Sequence, residues 1–303
     1  MKMRKIRQGD IPTKDLHQFM VGAIAPRPIA FVSTIDDKGV PNVAPYSFFN
    51  AFSSNPPILV FSSNRRVADN TTKDTLHNVK LNSQVVVNVV NYSMVRQMAI
   101  ASVSYPSDVN EFEKAGLHTI PSEEVAPFRV KESPVHFECE VSDIITLGEH
   151  GGAGHLIICQ VKCIHIAEEI IDERGRIDPH KLDLVGRLGR AHYVRASGDA
   201  LFDVYQAPNN IALGFDKLPY HLRSSSVLTG NDLAQFAGLL AYASEEAIED
   251  LLATDTSLEN LYRAYDREGE NLLVALDKMV KTLLDAGRVE EAFACALSYE
   301  FEE

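Results

Sequence analysis

Between Ala25 and Asn78 the chain gathers hydroxyl, amide and cationic side chains at a spacing that suits a flat ligand ending in an anion. The hydroxyls fall where apolar runs stop: Ser33-Thr34, Ser47 and Ser62-Ser63. Neighbours on a strand point to opposite faces, so only one member of each pair can look into a common pocket. Arg65, Arg66 and Lys73 follow, and Asp74-Thr75 opens a helical pattern through Leu76, Val79 and Leu81. Thr71, Thr72 or Asp74 can cap that helix, whose first turn offers free N–H groups to an anion. Arg65 and Lys73 would add charge-assisted bonds to a phosphate. Capping and turn formation explain any one of these residues as well; they do not explain the concentration.

The elements that must carry these residues are short strands. Residues 28–35 alternate apolar and small types and are rich in β-branched ones, which predicts a strand. Asp36-Asp37-Lys38-Gly39 reads as a hairpin turn, and residues 41–44 and 58–61 as partner strands, the last preceded by Pro56-Pro57. Residues 46–55 are too polar for a buried strand and too aromatic for an ordinary loop, so they read as an irregular segment with backbone N–H groups to spare. Residues 84–91, 135–147 and 155–166 predict further strands, and Gly148 to His155 a glycine-rich hairpin loop. That loop lacks the G-x-G-x-x-G spacing and joins two strands, which excludes a dinucleotide fingerprint. No Ser/His/Asp order or nucleophile elbow is present.

Four ordered motifs in this region, Arg27-Pro28-Ile29-Ala30-Phe31-Val32-Ser33-Thr34, Ala44-Pro45-Tyr46-Ser47-Phe48-Phe49, Asn55-Pro56-Pro57 and Lys73-Asp74-Thr75, resemble the flavin reductase-like, FMN-binding split-barrel family, in its flavoredoxin-like branch. Asn110-Glu111-Phe112-Glu113-Lys114-Ala115-Gly116-Leu117, Glu132-Ser133-Pro134-Val135, Phe137-Glu138-Cys139, and Val185-Gly186-Arg187-Leu188-Gly189 with Tyr193 are similar to the same branch. The resemblance spans residues 22–195. It implies a mainly β fold with α additions, an antiparallel split β-barrel of Greek-key type. It implies FMN, with Ser33, Thr34, Ser62, Ser63, Arg65, Lys73, Asp74 and Thr75 holding the ribityl and phosphate groups. Pro45, Tyr46, Ser47 and Asn50 would line the isoalloxazine, mostly through backbone groups, with Arg27 near the ring. His155, at the barrel mouth, would touch a flavin or nicotinamide edge as the catalytic candidate. The implied assembly is a homodimer with the flavin at its interface. The implied activity is an NAD(P)H-dependent reductase passing reducing equivalents to free flavin or to a partner, or else an electron carrier reduced by another protein.

Composition bounds the remainder. The chain has 303 residues, enough for one large domain or two small ones. Cys139, Cys159, Cys163 and Cys295 show no C-x-x-C spacing, no apolar run approaches a membrane span, and the basic N-terminus lacks a signal peptide's apolar stretch. The expectation is a cytoplasmic protein with reduced thiols and no membrane association. The histidines share no carboxylate or cysteine spacing, so no metal site is expected. From Asn231 onward there are 17 Asp and Glu against 5 Lys and Arg, a net of −12 out of the chain's −13. Apolar spacing changes there to threes and fours, through Leu233 and Phe236, Ile248, Leu251 and Leu252, and Leu272, Leu276, Val280 and Leu284, with breaks at Gly269 and Ala286-Gly287. The expected domains are therefore a split barrel over residues 1–230 and an acidic α-helical extension over residues 231–303. Its charge argues against nucleic acid and suits docking of a basic redox protein.

Overall fold

In a computed structural model the chain is described over residues 1–204, 211–265 and 270–300. It divides into two units, Met1–Phe202 and Asp203–Glu303.

The first unit opens with α1 (Thr13–Ala23), then β1 (Ala30–Ile35), β2 (Pro41–Tyr46), β3 (Phe49–Ser54), β4 (Pro57–Ser62), α2 (Asp74–Asn82) and β5 (Gln84–Val89). The short helices α3 (Val95–Ile100) and α4 (Glu111–Ala115) and the ribbon of β6 (Thr119–Ile120) and β7 (Arg129–Val130) come next. Two twelve-residue strands, β8 (Val135–Thr146) and β9 (His155–Ile166), lead to α5 (Pro179–Leu182) and the hairpin of β10 (Leu184–Arg187) and β11 (Tyr193–Ala196). Seven strands form one antiparallel sheet in the order β2-β1-β5-β8-β9-β4-β3.

Strand β1 shows why the sheet needs two cores. Ala30 and Val32 face Leu76, Val79, Phe61 and Ile157, whereas Phe31 on the other face packs with Val43, Met94, Met98 and Phe112. Alternation likewise splits the hydroxyl pair at its end. Ser33 donates to the Phe128 carbonyl at 2.5 Å, and Thr34 accepts from the side-chain amides of Asn42 and Asn78 at 3.0 and 3.1 Å.

Residues 49–54, expected to be irregular, instead form an edge strand paired with β4. All of β3 beyond Phe49 is exposed, Phe52 included at 68%, so no apolar alternation marks it in the sequence. A strand bare on both faces is invisible to a burial pattern.

The middle of β8 holds a buried carboxylate. Glu138 accepts from the backbone N–H groups of Glu123 and Glu124 at 3.0 and 2.6 Å and lies 2.7 Å from His165 Nε2. Burial alone would raise its pKa, but these hydrogen bonds overturn that and hold it below the ordinary carboxylate value. Replacing one member of a buried polar set strands the others, so Glu138→Ala should lose about 3–5 kcal/mol in urea unfolding. The wild-type contribution is present above the ordinary carboxylate pKa and lost as pH falls through the lowered one.

The second unit contains α6 (Tyr220–Arg223), α7 (Gly230–Ala237), α8 (Glu245–Thr254), α9 (Thr256–Ala264), α10 (Glu270–Asp285) and α11 (Val289–Leu297). Thr229 and Asp232 form a reciprocal capping box on α7, and Gly287, at φ 75°, ends the turn between α10 and α11. Gly269 lies outside the described residues. The core joins Leu218, Leu222 and Leu228 to Phe236, Leu276, Val280 and Phe293, with Phe236 stacked on Phe293 at 4.8 Å. This unit thus begins upstream of the charge step at Asn231, because the leucines that enter its core first lie in a segment of balanced charge.

Candidate cofactor site

The first unit carries a cavity of about 320 Å³ against one end of the sheet. Its walls come from five places in the chain besides Arg27, which precedes β1. Helix α1 supplies His17, Gln18 and Val21; the end of β2 and the residues after it supply Pro45, Tyr46, Ser47 and Phe48. Ser62 and Asn64 come from the end of β4, Lys73 from the N-cap of α2, and Arg187, Leu188 and Arg190 from the β10–β11 turn.

Arg27 ties these walls together. Its buried guanidinium donates to the carbonyls of Val21 and Ile24, both at 2.6 Å, to Leu188 at 3.0 Å and to Ser47 Oγ at 3.4 Å. Helix α1, the β10–β11 turn and the β2 end therefore meet on one side chain. Burial, then the neighbouring Arg187, lowers its pKa. Glycine makes a second close approach possible: a Cβ on Gly154 would lie 2.6 Å from Ser62 Oγ, which donates to Asn64 Oδ1 at 2.7 Å.

At and behind the wall that carries Lys73, several donors lack acceptors. Lys73 Nζ lies 4.6 Å over the Tyr46 ring and has no ion pair among the described residues. Burial first, then Arg66, pulls its pKa down to about 8, against the attraction of Glu111. Ser63 Oγ, Arg65 Nε and the Tyr46 hydroxyl are buried with no hydrogen-bond partner among the described residues. Burial pushes Tyr46 up to about 12, opposed by the nearby Thr75 and Ser63 hydroxyls, which lack good bonding geometry to it. Helix α2 begins at Asp74 with no side-chain cap on its first turn. Unpartnered donors beside an uncapped helix N-terminus and a half-buried lysine fit a phosphate. The wall at residues 45–48, with Tyr46 tilted against Phe61 and Phe48 edge-on to His17, fits a planar ring.

Of the residues singled out from sequence, Arg27, Pro45, Tyr46, Ser47, Ser62 and Lys73 line the cavity. The others do not. Ser33 faces Phe128; Thr34 and Thr75 share the Asn42 amide in a buried network; Asp74 starts α2 beside Lys73. Arg65 donates through Nη1 to the Asn70 carbonyl, bracing the loop before α2, and Asn50 is exposed on β3. His155 is buried, its Nδ1 3.0 Å from the Ser63 carbonyl, in a contact that fixes the β4 end rather than the cavity wall. His17, Gln18, Phe48, Asn64 and Arg190 were not singled out. The α1 pair sits on a polar helix face that looks like any solvated one.

Among the described residues, no helix is long and apolar enough to cross a membrane, and no group of three or more His, Cys, Asp or Glu is placed to hold a metal ion.

The antiparallel sheet with its helices is a split-barrel fold of the flavin reductase type. The chain belongs to the flavin reductase like domain family, which matches residues 22–179. An uncharacterised protein of Aquifex aeolicus (strain VF5) is 38% identical over 189 residues, 62% of this chain and 94% of that one. Nitrilotriacetate monooxygenase component B from Bacillus cereus superposes with a TM-score of 0.62 at 32% identity, over 67% of this chain and all of that one. A split-barrel domain protein of Shewanella frigidimarina NCIMB 400 shares the fold, with a TM-score of 0.58 at 22% identity over 68% of this chain and 100% of that one.

Proposed function

We propose that the chain binds FMN in this cavity and works as an NAD(P)H-dependent flavin reductase. The observation that carries this reading is the coincidence, in one cavity lining, of Lys73 without an ion pair among the described residues at the uncapped α2 N-terminus, the unpartnered Tyr46 hydroxyl and the wall formed by residues 45–48. Lys73 and the first turn of α2 hold the phosphate; residues 45–48 face the ring; Arg27 keeps α1 over the cavity and narrows its access to water. FMN held by these residues would supply the chemistry of hydride acceptance from a reduced nicotinamide and of one- or two-electron delivery to an acceptor. The protein's share is binding, orientation and shielding, which accounts for the lack of an acid–base pair in the lining. Likeness to a component of a monooxygenase supports delivery to free flavin or to a partner enzyme. A second copy covering the bare β3 edge and Phe52 completes the assembly.

Binding and reaction are tested separately. FMN at about 100 times its dissociation constant should stabilise the protein by about 2.7 kcal/mol. Anaerobic mixing with NADH or NADPH should then bleach the oxidised flavin absorbance on a catalytic timescale. Bleaching only by a reduced protein would make the chain an electron carrier, for which the acidic second unit offers a docking surface to a basic partner. A protein unaffected by FMN would end both readings.

A further inference from the structure

The cavity lining includes Arg27, Lys73, Arg187 and Arg190 and no carboxylate, in a first unit whose overall charge is close to balanced. These cations are differently employed. Arg27 is occupied by the carbonyls of α1 and the β10–β11 turn, and Lys73 stands at the N-cap of α2. Arg187 closes its own turn, donating to the carbonyls of His192 and Arg190 while stacking 4.6 Å over Tyr193. Arg190 is left. Its exposed guanidinium has no partner among the described residues, and it lines the same cavity.

The backbone there is unusual. Arg190 sits at φ 55°, the left-handed region where a side chain is disfavoured and glycine is the ordinary choice. Gly189 beside it approaches Gly22 Cα so closely that a Cβ would come within 3.2 Å, which seats the turn against α1. An arginine thus stands at a glycine-type position on the cavity rim, in a turn that a second arginine locks, at some conformational expense.

Resting on the reductase reading, we propose that Arg190, positioned by Arg187, forms a second anion subsite for the 2′-phosphate of NADPH, distinct from the Lys73 subsite, and so makes NADPH the preferred donor. A phosphomonoester dianion suits a free guanidinium with its fork of N–H donors, and NADH carries only an uncharged hydroxyl at that place. Arg190→Gly is the informative variant: it removes the guanidinium and relieves the left-handed residue, so folding is not threatened.

The experiment is anaerobic reduction of the FMN-loaded protein by NADPH and by NADH, with 2′,5′-ADP and 5′-AMP as competitors. The wild type should favour NADPH by about tenfold or more in kcat/KM, about 1.4 kcal/mol, and be inhibited more strongly by 2′,5′-ADP. In Arg190→Gly both ratios should fall toward one, and since ratios are read, a general loss of activity does not imitate the result. Equal use of the two nucleotides by the wild type, or a preference that survives in the variant, overturns the subsite and leaves the reductase standing. Inhibition by benzoate that vanishes in the variant, without any NADPH preference, overturns it too and gives the guanidinium to a carboxylate acceptor. Bleaching by neither nucleotide overturns both readings.

Discussion

Lys73→Ala should weaken FMN binding about 10–100-fold while leaving riboflavin binding nearly unchanged, because the two ligands differ only in the phosphate. The magnitude is that of one charge-assisted hydrogen bond lost, about 1.5–3 kcal/mol. Lys73→Arg should retain part of the difference. The same lysine gives the interaction a pH dependence with a definite sign. Burial sets its pKa at about 8, and an arriving phosphate favours the protonated form. The phosphate-dependent part of the affinity is therefore present below pH about 8 and declines as pH rises through that value, whereas riboflavin affinity stays flat. Fluorescence titrations of both flavins across this range read the effect directly. Equal losses for FMN and riboflavin in Lys73→Ala would put the phosphate elsewhere.

The second large effect is expected at Arg27. Arg27→Met removes the donor shared by the Val21, Ile24 and Leu188 carbonyls, and with it the tie between α1 and the β10–β11 turn. A buried charged donor serving several acceptors should be worth about 3 kcal/mol after partial relaxation. For a unit of this size that corresponds to a fall in Tm of about 6–12 °C. Hydrogen exchange should quicken first in α1, and FMN affinity should fall because His17, Gln18 and Val21 leave the cavity wall. Arg27→Lys should rescue little, since an ammonium on a flexible stem does not reproduce the fork that spans three carbonyls. An unchanged Tm with intact α1 protection would show that α1 is held by its apolar face alone.

These two residues were differently legible in the sequence. Lys73 stands in a helix-opening motif whose chemistry is local, so its place beside free N–H groups follows from neighbouring residues. Arg27 precedes a strand, and nothing near it in the chain reveals that one of its acceptors, the Leu188 carbonyl, lies 161 residues away. The long strands β8 and β9 declared themselves by alternation, and β1 and β4 by short runs of apolar, small and β-branched residues. Strand β3 did not, because an exposed edge imposes no pattern. Hydroxyl pairs marked strand ends correctly, yet alternation and α2 decide which member sees the cavity: Ser62 does, while Ser33 and Thr34 satisfy interior partners on opposite faces of the sheet. His155 illustrates the same limit, since a histidine opening a strand at a loop can face the ligand or the backbone, and here it bonds the Ser63 carbonyl. The helical unit was visible as a change in period and charge, but its first core residues, Leu218 and Leu222, sit in a segment with neither signal.

The central claim is that the cavity under α1 is an FMN site with its phosphate pole at Lys73 and α2. Its most direct test is titration of flavin-free protein with FMN, and in parallel with riboflavin, followed by quenching of flavin fluorescence. The account predicts saturable binding of one FMN per chain, at least about tenfold tighter than riboflavin. Absence of FMN binding, or equal affinity for the two flavins, would contradict it.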